Sequence, residues 1–432
     1  VSEKDKTVGF WSVVAIGIGG MVGGGIFAVL GLAVQLAHGG TPVAFLVAGL
    51  VALVTAYSYA RLSVAFPSQG GTVEFINQGY GTGIFTGGMN ILLWMSYVIM
   101  LSLYAYAFGS YGANFFPDAW HDAAKHLLIS GVIVLLTLLN LAGSSLVGKA
   151  EEWVVGFKIL ILLVFIAAGL WTVEAAKIAP AQWTHTVPLI AGGMIIFLAY
   201  EGFELIANTA ADVRDAATVL PRAFYTSVIF VILLYILVSG VTVGNLSVAK
   251  IVAAKDYALA ESAKPFLGAA GFTLITVAAL LSTGSAINAT LYGTARVSFI
   301  IAKDGELPAQ LERKIWKQPV EGLFITSALT LLAANFLDLS GISLMGSAGF
   351  LLIFAAVNGA NFLLRKKTGG IPWLALLGVA ACLGAFGALL WQQLSTAPSK
   401  LWFLAGMLAI SFLGEFLYRQ KTGRSIHPQI KN

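Results

Sequence analysis

Stretches of about 20 consecutive apolar residues recur along the whole chain, and this repetition constrains the fold more than any other feature. A helix of that length matches the roughly 30 Å hydrocarbon core of a bilayer. Twelve such runs can be placed, at about 10–37, 41–65, 83–112, 126–142, 152–174, 187–209, 222–244, 268–300, 323–338, 342–364, 372–395 and 399–418. In lipid every backbone N–H and C=O must be paired within the protein, and helices do so within one segment. Composition agrees: of 432 residues 58% are hydrophobic and 10% charged, where a soluble domain carries about 25% charge. The chain reads as an all-α, multi-pass membrane protein. Its first apolar run is too long for a cleavable signal peptide and is followed by more of the same. The runs at 83–112 and 268–300 exceed a straight crossing and call for tilt.

The basic residues orient this array. Of 25 Lys and Arg, eighteen fall on the side that holds both termini and six on the other, while Lys158 lies inside the fifth run. Such a bias predicts that both termini are cytoplasmic, and termini on one side require an even number of spans, as counted. The net charge of +5 is therefore an orientation signal, and no nucleic-acid partner is expected. Cys382 has no partner cysteine in the chain and sits in an apolar run, which points to packing. The five histidines fall in loops or at span ends, and metal-ligand spacing, nucleophile elbow and P-loop are missing. An enzyme or an ATP-driven pump is thereby disfavoured.

Within the first run stands Gly19-Gly20-Met21-Val22-Gly23-Gly24-Gly25-Ile26-Phe27. Each glycine weakens a helix by about 1 kcal/mol relative to Ala. Two uses fit: close approach of a neighbouring helix, or a mid-membrane break whose freed carbonyls and half-helix N–H groups face a solute. A second weak point is Phe197-Leu198-Ala199-Tyr200-Glu201-Gly202-Phe203-Glu204 in the sixth run, with two carboxyls around a glycine. In a regular helix positions 201 and 204 share a face; a break at Gly202 sets both beside freed backbone. Carboxyls at this depth are functional candidates by default. Five spans begin at each weak point, and an odd repeat must insert with inverted topology. That arrangement holds solute at the repeat interface and favours the break reading for the opening stretch.

Other polar positions are fewer. Lys158 lies about six residues into its span, roughly 9 Å deep. A lysine at membrane depth costs at least about 2.5–3.5 kcal/mol and marks an ion or proton pathway, with snorkelling to the headgroups as the alternative. The eighth run carries Ser282-Thr283-Gly284-Ser285 and, further on, Asn288 and Thr290; taken alone, such hydroxyls usually bond their own preceding turn. Trp94, Tyr97, Tyr104 and Tyr106 of the third run read as packing or interface anchors. The polar stretch 67–82 reads as a loop with a short interfacial helix, from the spacing of Val73, Phe75, Ile76 and Tyr80.

Three of these stretches carry a resemblance. Residues 19–27 are similar to the G-S-x-I-G-x-G-I-F motif of the amino acid–polyamine–organocation (APC) transporters. Phe197 to Glu204, continued by Ala211-Asp212 and Leu220-Pro221-Arg222-Ala223, looks like that family's sixth helix and following loop. Ala302 to Pro308 matches its A-x-D-G-x-L-P. Within the family the chain most resembles the ApcT-type proton-coupled amino acid transporters, through Trp11, Leu92 to Tyr97, Lys158, Lys264 to Gly268 and Lys303 to Pro308. The resemblance implies a LeuT-like fold of two inverted five-helix repeats, about 8–175 and 186–364, with helices 1 and 6 broken. The core would span 1–364, and 365–432 would add two helices and a cytoplasmic tail.

The resemblance also implies a function: a proton symporter importing amino acids across the inner membrane. The protonated Lys158 would take the place of bound sodium, near Gly19 and the hydroxyls of Ser282, Thr283 or Ser285, with Glu204 as a further proton-coupling candidate. Gly19, Met21, Gly23, Gly24, Gly25, Phe197, Tyr200, Glu201, Gly202 and Phe203 would hold the solute. Its carboxylate would rest on N–H groups at Gly23 to Gly25, and its amine on carbonyls near Gly19 and Tyr200. The partners implied are an amino acid, a proton and membrane lipid; no cofactor and no bound sodium are expected. Glu201 stands where relatives usually carry an apolar or amide residue, so a polyamine or other organic cation, taken by transport or exchange with Glu201 as counter-charge, is the alternative.

Overall fold

The computed structural model describes residues 7–142, 147–303 and 320–422. Among them the chain is helical throughout, apart from turns and two isolated bridges. The first apolar run is two helices, α1 (Phe10–Met21) and α2 (Gly25–Ala37), bent by 45°. Then come α3 (Thr41–Ala65), α4 (Thr72–Tyr80), α5 (Ile84–Ala113), α6 (His121–Ala142), α7 (Val147–Leu170) and the short α8 (Ala175–Ile178). The sixth run is again split, into α9 (Thr186–Ile195) and a 3₁₀ helix, Phe197–Asp212, bent by 41°. A 3₁₀ stretch this long is unusual, since its hydrogen bonds are poorer than an α-helix's, and it marks strain or a hinge.

The rest is α10 (Ala216–Asn245), α11 (Val248–Ala253), α12 (Ala258–Lys303), α13 (Val320–Phe336), α14 (Leu339–Leu363), α15 (Arg365–Thr368), α16 (Pro372–Thr396) and α17 (Leu401–Thr422). Helix α12 kinks at Gly268, whose φ of 63° is a left-handed conformation that glycine adopts freely. Its apolar part thus starts where the sequence places the eighth span. Asp338 caps α14 by accepting from the Gly341 N–H at 3.1 Å. Among the described residues nine helices are long and apolar enough to cross a membrane, and each bent pair can supply one more crossing. A count of twelve requires the shorter apolar helix Glu321–Phe336 as well.

The two broken runs lie in the middle of the bundle. Helix α1 packs on the 3₁₀ helix and α10, and the 3₁₀ helix on α3, while α5 and α12 close the other side. Helix α4 differs from the interfacial helix that its spacing suggests. Val73, Phe75 and Ile76 are fully buried, Gly79 lies against Ala360, and the Tyr80 hydroxyl donates to Ala356 O at 2.9 Å. The same apolar spacing suits protein or headgroups, and α14 supplies the protein. Cys382 is buried beside Thr55 and Asn358. Residues 304–308 of the A-x-D-G-x-L-P motif lie outside the described residues.

Candidate functional site

The glycines at the two weak points bring the broken helices into backbone contact. A Cβ on Gly202 would stand 2.2 Å from Gly20 C, and one on Gly20 would stand 2.6 Å from Gly202 O. At the next turn a Cβ on Gly25 would meet Ala199 Cα at 2.6 Å. Any side chain at these positions would force the two segments apart. Close approach and a break, which compete as readings of the sequence, therefore coexist here.

A broken helix leaves carbonyls without their usual donors, and buried ones must find others. In the first break neighbouring helices reach in to supply them. Lys158 Nζ of α7 donates to Gly19 O at 3.0 Å, the Tyr235 hydroxyl of α10 to Met21 O at 2.7 Å, and Ser282 Oγ of α12 to Val22 O at 2.9 Å and to Gly23 O. Backbone N–H groups take the others: Val22 bonds Ile18 O, Gly23 bonds Gly20 O, and Ala28 bonds Gly24 O. Each carbonyl from Ile18 to Gly24 thus has a donor. Lys158 is only 1% exposed, so its ammonium does not snorkel to the surface.

The sixth run is held differently. Ser347 of α14 donates to Ile195 O at 2.9 Å and accepts from the Leu198 N–H at 3.1 Å, spanning the break with one hydroxyl. The Ala199 N–H bonds Ile196 O, and Tyr235 also reaches Ala199 O at 3.2 Å. One phenol therefore touches both breaks. The Tyr97 hydroxyl donates to Glu204 Oε1, and the Glu201 and Glu204 carboxyls are neighbours.

Beside this crossing lies a cavity of about 440 Å³. Ser12, Gly19 and Gly20 of α1, Glu201, Gly202 and Asn208 of the 3₁₀ helix, Tyr97 and Tyr104 of α5, and Ser285 and Thr290 of α12 stand on its wall. Glu201 is the one carboxylic acid among the described lining residues, and no lysine or arginine is among them. Of the sequence candidates, Gly19, Glu201, Gly202 and Ser285 line this space. Met21, Phe197, Tyr200 and Phe203 are packed in the core, Phe203 between Tyr59 and Phe354 with centroids at 5.4 and 5.2 Å. Gly23 lies against Ala286, and Gly24 is covered by Tyr104 and Thr283. Thr283 bonds carbonyls of its own helix, at Ala279 and Leu280.

This architecture has a match among known proteins: the amino acid permease family pattern covers residues 8–413. The chain belongs to that family. Its membership of the wider APC group, read from the motifs, is borne out. The chain is 34% identical to the inner membrane transport protein YbaT of Escherichia coli, over 98% of both chains. It is 36% identical to an uncharacterized protein of Methanocaldococcus jannaschii, over 98% of this chain and 97% of the other. It is 25% identical to the branched-chain amino acid permease BcaP of Bacillus subtilis, over 96% of this chain and 93% of that one. This is a family of membrane transporters and not of enzymes.

Several residues of this family member's site escape sequence reasoning. Tyr97 and Tyr104 read as packing, yet both face the cavity. Tyr235, Ser347 and Asn208 carry no local signal, because a lone hydroxyl or amide in a helix resembles any other, and Gln69 is one polar residue among several in its loop. Their partners are set by the fold: Tyr235 reaches Met21 across 214 positions and Ser347 reaches Ile195 across 152.

Proposed function

We propose that the chain is a proton-coupled secondary transporter that imports amino acids across the inner membrane, with Lys158 as the coupling group. The observation that carries this reading is the buried Lys158 ammonium on Gly19 O, at the edge of the first break. A charged donor holds that carbonyl with a bond roughly twice as strong as a neutral one. Loss of the proton weakens the bond and so changes the balance between arrangements of the broken helix. Coupling needs such a difference, since a ligand that binds two states equally shifts neither.

The cavity fits one state of the transport cycle. Its wall includes Ser12, Gln69, Asn208 and Val297, near the end of the bundle where the chain begins. Toward the other end the helices are tied together: the Tyr111 hydroxyl donates to Phe27 O at 3.0 Å, and Lys125 pairs with Asp256 at 2.8 Å. With cytoplasmic termini this is an inward-facing state, from which solute would leave to the cytoplasm. N–H groups at the start of α2 would receive the solute carboxylate once Tyr104 moves off Gly24.

The test is uptake of a radiolabelled amino acid panel into proteoliposomes under an imposed pH gradient, with and without sodium, for the parent and Lys158→Ala. Gradient-driven, sodium-independent uptake that the variant loses is the expected result. Sodium dependence, or a variant with parental uptake, would assign coupling elsewhere.

A further inference from the structure

We infer that Glu201 and Glu204 hold one proton between them, and that this pair is a second proton site of the transport cycle beside Lys158; the inference rests on the transporter reading above. The two carboxyls are hydrogen-bonded to each other and are 3% and 1% exposed. An ionised carboxyl is an acceptor only, so a hydrogen bond between two carboxyls requires a proton on one of them. The Tyr97 hydroxyl already donates to Glu204 Oε1. That contact marks Glu204 as the acceptor of the pair and Glu201 as the member that carries the proton.

The surroundings offer no fixed charge to replace that proton. Of the helices packed on the 3₁₀ helix, α1, α2, α9 and α14 carry no ionisable side chain. Arg61 of α3 bonds Gly369 O, Glu74 of α4 accepts from Gln78, and Arg222 of α10 is exposed. The titratable groups that bear on the pair are phenols, Tyr59 of α3 and Tyr97 and Tyr104 of α5, which are neutral below about pH 10. Lys158 is engaged at Gly19 O. Two carboxylates in contact in such an interior cannot both stay ionised, so one proton is held and its loss sets like charges against each other. Glu201 lines the cavity, which gives its proton a way out in the inward-facing state. The next residue, Gly202, has no slack against Gly20, where an added Cβ would stand 2.2 Å from the carbonyl carbon. Repulsion that moves Glu201 off Glu204 is thereby passed to the first run at Gly20, one residue from the carbonyl that Lys158 holds.

The experiment takes two readings on the full chain. The first is the infrared difference between the parent and Glu201→Gln in detergent at neutral pH, where exposed carboxyls are ionised. It should show the C=O stretch of a protonated carboxyl in the parent alone. The Gln amide can donate to Glu204 as a protonated Glu201 does, so this variant keeps the bond without the exchangeable charge. The second is the proton-to-solute ratio in proteoliposomes, read with a pH-sensitive dye and the radiolabelled proteinogenic amino acids. With Lys158 and the pair each carrying a proton, the ratio should fall about two-fold in Glu201→Gln. A parent without the protonated-carboxyl band overturns the inference. So does a ratio unchanged in Glu201→Gln, which would make the shared proton a fixed structural one. If that variant is not recovered folded, Glu204→Gln removes the other half of the pair and is read in the same way. A parent that takes up amino acids without protons, or takes up none, overturns the functional reading instead, while the infrared band still decides whether the pair holds a proton.

Discussion

The two broken runs bend by nearly the same angle, 45° and 41°, and both leave carbonyls to be satisfied inside the bundle. They are secured by different chemistry. The sixth run is spanned by a neutral hydroxyl, Ser347, which bonds both sides of its break. The first recruits an ammonium, Lys158, along with Ser282. The sixth run shows that a serine suffices to satisfy a freed carbonyl. A lysine at membrane depth, costing at least about 2.5–3.5 kcal/mol, is therefore more than structural economy requires at the first. The break of the first run is thus held by a basic side chain and that of the sixth by a neutral hydroxyl, although the sixth run carries Glu201 and Glu204 further along.

Exchanging the two kinds of donor tests that asymmetry most strongly. Lys158→Met should lower gradient-driven uptake by about ten- to a hundred-fold, the equivalent of a charged hydrogen bond. Ser347→Ala should lower it by no more than about three-fold, near the average for a hydrogen bond between membrane helices. Equal losses in the uptake assay would erase the distinction. Next in size is the contact between the runs. Gly202→Ala places a methyl 2.2 Å from Gly20 C, against backbone that cannot rotate away. Overpacking of this sort costs about 1–3 kcal/mol, and the thermal midpoint in detergent should drop; an unchanged midpoint would mean the runs separate at no cost.

Tyr235 sharpens the comparison, because its hydroxyl serves both breaks. Tyr235→Phe keeps the ring against Phe45 and Tyr200 and removes only the donor. A buried acceptor left unpaired costs about 1–3 kcal/mol. If Met21 O is the main acceptor, as the shorter bond indicates, Tyr235→Phe combined with Ser282→Ala should cost more than the sum of the two single changes. With Ser347→Ala it should be closer to additive. Double-mutant cycles on thermal unfolding would measure both.

The smallest effect lies outside the spans. Partial burial pulls the Asp338 carboxyl upward, but hydrogen bonds from Lys400, Ser340 and the Gly341 N–H outweigh it and hold the group below the usual aspartate range. A carboxyl lowered on folding contributes stability that is present above its unfolded value, about 3.9, and is lost as pH falls through the folded value. Asp338→Asn should therefore reduce stability slightly at neutral pH and not at all near pH 2. The group is half exposed, so the effect is small.

The bent spans show how much of this was legible beforehand. Both weak points were readable because glycine clusters and paired carboxyls are expensive in an apolar helix and stand out against it. Lys158 was readable for the same reason. Hydroxyls gave no such contrast: Ser282 was one of several in its run, and Tyr235 and Ser347 drew no attention. The aromatic residues misled in the other direction, since Tyr97 and Tyr104 have the composition of packing and the position of a cavity wall. Helix α4 was found at its expected place but under protein instead of at the headgroups, because an apolar spacing does not say what covers it.

By itself, then, the amino-acid sequence determined that the chain is a helical membrane protein, where its helices lie and which two of them are weak at mid-span. These follow from local quantities: the transfer of apolar residues into lipid, the distribution of charge and the helix cost of glycine. Tertiary structure alone decided which donor meets which freed carbonyl and that Glu201 is left facing the cavity. Those outcomes depend on hydrogen bonds a few ångströms long, most of them between residues more than a hundred positions apart, and nothing in the local sequence encodes such a distance.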